Sequence, residues 1–175
     1  MKPSKVFSLA TLLLVVIALA GCAGQAAADK TYTDPFAYCA AVGTIDAPGA
    51  TYAGDKVPDS VANALLKALG SPGIPTDMIQ NGSSWRCMDG KVYGCFVGAN
   101  LPCGEKADTG KTPTEEMKDF CAQNSNSDVI PAVVTGRATV YEWRCTNGAP
   151  AVVKQVAQPD KRGFLSNIWY ALSKP

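Results

Sequence analysis

Six cysteines constrain this chain more tightly than any other feature. Cys39, Cys87, Cys95, Cys103, Cys121 and Cys145 follow Cys22, and none sits in a C-x2-C pair. Cysteine-based zinc sites usually use such close pairs, so an even set points to disulfides instead. Counting alone cannot choose partners, but an internal similarity can. Trp85-Arg86-Cys87-Met88-Asp89-Gly90 and Trp143-Arg144-Cys145-Thr146-Asn147-Gly148 both read Trp-Arg-Cys, one residue, then Asp or Asn before Gly. Upstream, Gly54 and Gly136 follow Cys39 and Cys121 by the same 15 residues, with Pro48 and Pro131 between. Pairing within each half gives Cys39–Cys87 and Cys121–Cys145, and leaves Cys95–Cys103 to close a local loop. Each bridge is expected to contribute ~2–4 kcal/mol, mostly by restricting the unfolded chain.

The N-terminus explains why disulfides form at all. Lys2 and Lys5 precede an apolar run from Val6 to Ala20, followed by Gly21 and Cys22. A positive start, a short apolar core and small residues at the end make a secretory signal. At 15 residues the run falls short of the ~20 needed to span hydrocarbon. The Leu19-Ala20-Gly21-Cys22 ending resembles the lipobox of bacterial lipoproteins. That resemblance implies a diacylglyceryl group on the Cys22 sulfur, cleavage before it, and acyl chains such as palmitate holding residues 22–175 on a membrane. Each buried methylene contributes ~0.8 kcal/mol to such an anchor. Ala23 stands where an aspartate would resemble an inner-membrane retention signal, so a Gram-negative source implies the outer membrane, facing the periplasm. Residues 22–33 then read as a short tether.

Past the tether the expected fold class is α+β, built from two helix-plus-hairpin units: residues 34–107, with a helical insertion near 55–80, and residues 108–175. In the first unit Asp34 caps a helix starting at Pro35, with Phe36, Cys39 and Ala40 facing inward. In the second, Thr112-Pro113-Thr114-Glu115 has capping-box spacing ahead of Met117, Phe120 and Cys121. Each Trp-Arg-Cys is expected as a strand. From Thr139 to Cys145, alternation puts Tyr141, Trp143 and Cys145 on one face and Glu142 and Arg144 on the other. Asp89-Gly90 and Asn147-Gly148 are type I′ hairpin signals, with return strands over Lys91–Val97 and Ala151–Ala157. Ser60 to Leu69 reads as an amphipathic helix capped by Asp59 or Ser60 and ended by Gly70. Residues Gly163 to Leu172 read as a last apolar strand.

Composition excludes several chemistries. The sequence contains no histidine, which removes Ser-His-Asp and Cys-His catalysis and the commonest metal ligand. No cofactor or metal is expected. Without Lys2 and Lys5, 14 basic residues face 15 acidic ones, so no net field attracts nucleic acid.

Four residues are weak binding candidates. Arg86 and Arg144 have the bidentate geometry that suits carboxylate or phosphate, though the expected position for both is an outward strand face, with Glu142 as an ion-pair partner. Trp169 and Tyr170 are adjacent, so a strand exposes one of them. Trp85 and Trp143 are assigned to the core beside cysteines. Among Asp46, Asp55, Asp59 and Asp77 no pair is singled out for glycoside hydrolysis, Ser83-Ser84 has no nucleophile-elbow context, and Asp160-Lys161-Arg162-Gly163 reads as a solvated turn. The leading expectation is therefore a non-enzymatic envelope lipoprotein, membrane-anchored through Cys22, that binds a protein partner or supports an assembly. One alternative is a periplasmic inhibitor of lysozyme-like hydrolases, because Thr135-Gly136-Arg137-Ala138-Thr139-Val140-Tyr141 is similar, at a different spacing, to the Ser-Gly-x-x-Tyr loop of such inhibitors. The other is a glycan- or small-ligand-binding protein.

Overall fold

The computed structural model describes residues 30–98 and 100–175; the expected signal segment, Cys22 and most of the expected tether lie outside the described residues. The chain is α+β. In order it forms α1 (Pro35–Val42), α2 (Asp59–Leu69), α3 (Thr76–Gly82), β1 (Ser83–Met88), β2 (Lys91–Phe96), α4 (Glu115–Gln123), α5 (Ala132–Thr135), β3 (Tyr141–Thr146), β4 (Ala149–Gln155) and β5 (Tyr170–Ala171). The strands make two antiparallel sheets, β1-β2-β5 and β3-β4. Among the described residues no helix is long and apolar enough to cross a membrane.

Local chemistry explains most boundaries. Asp34 Oδ1 accepts from the Phe36 amide at 2.8 Å, which satisfies a donor that α1 would otherwise leave unpaired. Thr114, not Thr112, caps α4: its hydroxyl accepts from the Met117 amide at 3.3 Å, so Pro113 lies just outside the helix. Helix α2 begins at Asp59 with Pro58 in the cap position and no side-chain cap. It ends where Gly70 adopts φ +63°, a conformation that costs glycine least. Both tight turns carry two successive positive φ values, 52° and 75° at Asp89-Gly90 and 52° and 80° at Asn147-Gly148. This is the type I′ geometry whose twist suits an antiparallel hairpin. Helices α3 and α5 have no counterpart among the sequence signals, and each follows a proline, Pro75 or Pro131.

Two expectations are corrected. In α1 the buried residues are Pro35, Tyr38 and Cys39, while Ala40 is exposed. The cysteine bond fixes the rotation of so short a helix, and Tyr38 then packs edge-on against Trp85, with ring centroids 6.0 Å apart. The apolar C-terminus is not one strand. A 3₁₀ turn at Ser166–Ile168 precedes the two-residue β5. That turn lets Phe164, Leu165, Ile168 and Trp169 reach a single cluster, whereas a strand would send Ile168 and Trp169 to opposite faces.

Three disulfides join Cys39 to Cys87, Cys95 to Cys103 and Cys121 to Cys145, with Cα separations of 5.1, 5.8 and 5.3 Å. The first ties α1 to β1 and the third ties α4 to β3. Between them lie three apolar clusters. One centres on Val61, Leu65, Ile79, Trp85 and Val92 beneath the helices. Another, around Cys95, Val140, Phe164 and Trp169, lies on the opposite face of the first sheet. The third, around Met117, Ile130 and Trp143, supports the second hairpin. Sheet β1-β2-β5 is thus covered on both faces, and its last strand comes from the far end of the chain. Replacing Cys39 and Cys87 by alanine should cost about 4 kcal/mol, and replacing Cys121 and Cys145 about 3 kcal/mol, in step with loop length. Urea unfolding of the two double variants measures both.

Candidate functional site

Arg86 is the largest fully buried side chain among the described residues, which corrects its expected outward position. The second face of the β1-β2-β5 sheet is not open to solvent, because the segment around 160–169 folds across it. The Arg86 guanidinium carbon lies 4.4 Å from the Phe164 ring centroid and 4.3 Å from that of Trp169. Its Nη2 donates to the Asp160 carboxylate. The other oxygen of Asp160 accepts from the backbone amides of Arg162 at 2.8 Å and Phe164 at 3.1 Å. The turn at 160–163 is real, but Asp160 is no solvated residue within it: its side chain is 8% exposed. Burial disfavours the Asp160 anion, yet Arg86 and the two amides outweigh burial and hold its carboxyl below the ordinary range.

Beside this centre lies a cleft of about 570 Å³, large enough for a small ligand or a short peptide. One wall is the connector around Asp46–Pro48 with Tyr52 and Lys56. The other carries Cys103, Gly104, Lys106, Phe164 and Trp169, and Ser83–Trp85 of β1 run between them. Aromatic packing shapes it. Tyr52 meets Trp85 edge-on at 4.9 Å, and the Trp85 indole N–H donates to the Lys56 carbonyl at 2.7 Å. Lys106 Nζ lies 3.4 Å from the Phe164 ring centroid and donates to Asp46 at 2.9 Å and to the Arg162 carbonyl at 2.8 Å. Arg162 donates to Asp46 as well, through Nε at 2.9 Å. Arg162 first and Lys106 second pull the Asp46 carboxyl down to about 2. Four side-chain polar atoms among the described residues are buried without a partner: Arg86 Nε and Nη1 in the ion-pair centre, and Ser83 Oγ and the Trp169 indole nitrogen on residues that line the cleft. A buried polar group left unpaired costs about 1–3 kcal/mol.

The other sequence candidates are not brought to this place. Arg144 is exposed on β3 and forms no ion pair among the described residues; Glu142 pairs with Lys154 at 3.3 Å instead. Trp169 is buried against Arg86. Tyr170 is half-buried on β5 and packs against the helical side of the sheet. Trp85 and Trp143 are core residues, as expected. Asp59 accepts from Gln80 at 2.9 Å, and no two carboxylates converge in the cleft, where Asp46 stands alone. Among the described residues no three His, Cys, Asp or Glu side chains gather as metal ligands. Lys106, Phe164 and Tyr52 carry the cleft although no sequence motif marks them. A second, shallower groove of about 390 Å³ runs beside α5. Around it Leu101, Val129, Val133 and Val156 are exposed, Val133 by 82%.

Comparison with protein-family models, with curated proteins and with solved structures finds no match to this chain.

Removing Arg86 alone strands the Asp160 charge, so Arg86→Ala should destabilise by about 3–5 kcal/mol. Arg86→Met with Asp160→Asn keeps an acceptor for the turn amides and should recover most of that loss in urea unfolding. Both Asp46 and Asp160 have lowered folded-state values. Their contribution is therefore complete above the ordinary carboxylate range, about pH 4, and is lost as pH falls towards the folded-state values. Indole fluorescence during acid titration should report loosening of this region below about pH 4, and Asp46→Asn should flatten part of that slope.

Proposed function

We propose that this chain is a non-enzymatic envelope lipoprotein that binds a protein partner through the aromatic cleft. The observation that carries this reading is the cleft of about 570 Å³ walled by Tyr52, Trp85, Phe164 and Trp169, two of whose lining residues, Ser83 and Trp169, also hold a buried polar atom without a partner. Native interiors satisfy nearly all such groups, so each exception asks for an explanation. Apart from the cleft, Leu101, Val129 and Val156 are exposed on the lining of the second groove, and exposed apolar surface suits a macromolecular partner. The lack of histidine argues against acid–base catalysis near neutral pH.

The envelope location rests on residues 1–22. In this reading Cys22 carries the lipid, and the protein faces the periplasm from the outer membrane of a Gram-negative cell. Residues 34–107 and 108–175 are two copies of one helix-plus-hairpin unit; the helix-to-strand disulfides and the twin Trp-Arg-Cys segments support this.

Two experiments test the reading. Cys22→Ser should abolish incorporation of labelled palmitate and release the protein from membranes; continued labelling would rule out Cys22 as the anchor. A photo-crosslinking residue in place of exposed Lys56 should trap one reproducible envelope protein, while the same residue at Lys118 on α4 should not. If neither position traps a protein, the partner reading fails. Capture of wall oligosaccharide instead would assign the cleft to a glycan.

A further inference from the structure

We infer that the partner enters this cleft as an extended, acidic peptide segment that adds a strand to the unpaired edge of β1; this rests on the partner-binding reading above. Among the described residues, one position on that edge is paired by the protein itself. The Ile45 and Cys87 amides and carbonyls exchange two hydrogen bonds, both 3.0 Å. Antiparallel strands direct the main-chain groups of successive residues to alternate sides. Cys87 therefore points away from β2, and so does Trp85 two residues earlier. Among the described residues the Trp85 amide and carbonyl have no main-chain partner.

The reason lies in the connector. Continuing the Ile45–Cys87 pairing would set Ala47 opposite Trp85. The chain instead leaves the edge at Asp46, whose carboxylate is held by Lys106 and Arg162, and Pro48 has no amide to contribute. The track a neighbouring strand would take, ~4.8 Å from β1, opens into the cleft between the two walls.

What lines this track fits a peptide. Side chains of an added strand alternate between its two sides. One side would meet Tyr52 and Trp85, the other Phe164 and Trp169. Ser83 shares its face of β1 with Trp85, and Trp169 belongs to the opposite cluster, so the two sides of the track are lined by different parts of the chain. Charge selects the sequence class. Lys56 and Lys106 line the cleft against Asp46 alone, and Asp46 is already shared with Arg162. An acidic residue on the incoming segment would meet uncompensated positive charge. A sugar would use the aromatic faces but has no ladder to offer the edge of β1.

The test uses the full-length protein in detergent and a displayed library of random linear peptides roughly six residues long, a typical strand length. Selection should enrich acidic peptides. A synthetic copy of the best should slow hydrogen exchange at the Trp85 amide. Methylating the backbone nitrogen of alternate peptide residues should weaken it about tenfold, with little effect at the positions between. Gly104→Trp should block binding; an added Cβ there meets nothing within 4 Å, and thermal unfolding of the variant checks that the fold is kept. Failure to select any peptide, or an unchanged Trp85 amide, would overturn strand addition. If Lys56 crosslinking traps a protein while the Trp85 amide stays unprotected, strand addition falls and the partner reading stands. If crosslinking also traps nothing, both fall.

Discussion

The Arg86–Asp160 pair decides how the two ends of this chain meet. Arg86 belongs to the hairpin whose first strand is bonded to α1, and Asp160 belongs to a turn 74 residues later. A guanidinium enters such a place only when charge and stacking are both supplied. Here Asp160 supplies charge and the Phe164 and Trp169 rings supply stacking surfaces. The consequence runs outward. Asp160 also holds the turn amides, the turn presents Phe164, and Phe164 lies under Lys106. Lys106 and Arg162 then fix Asp46, which bends the connector away from β1. The cleft is thus the outer rim of one buried ion pair.

Covalent and noncovalent forces divide the work. The outer disulfides fasten a short helix to a strand in each hairpin region, so helices of eight and nine residues persist at lengths that are marginal alone. Apolar burial then sets the relative placement of the parts. Gly94 shows how close that packing is: a Cβ there would meet Leu172 at 3.0 Å and Leu65 at 3.3 Å. β2 can lie between α2 and the C-terminal tail because that position is glycine.

The parts of the fold legible in the sequence are those fixed by chemistry local to the chain. Asp34-Pro35 sets the start of a helix, Asp89-Gly90 and Asn147-Gly148 set hairpins, and the spacing of Trp-Arg-Cys points to disulfide partners. What could not be read depends on contacts across long separations. Nothing near Arg86 in sequence announces Asp160, so alternation alone placed it outward. Phe164, Ile168 and Trp169 were visible as an apolar run, but the turn that gathers them follows from the cluster they fill. The cleft is harder still. Its lining combines residues 46–56, 83–85, 103–106 and 164–169, no two of which share a motif. Ser83 could be noticed only as strand entry, since its missing partner exists only once the strand is packed.

The Cys39–Cys87 bond also has a mechanical side. It links residues 48 positions apart, so it short-circuits the covalent chain between the N-terminal segment and β1. A pull on the N-terminus passes through α1 and one S–S bond directly into β1, leaving α2 and α3 outside the loaded path. Such a domain bears tension like a hook with a short shank: the strand at the edge of the cleft is joined to the pulled end by one covalent bond rather than by the intervening chain.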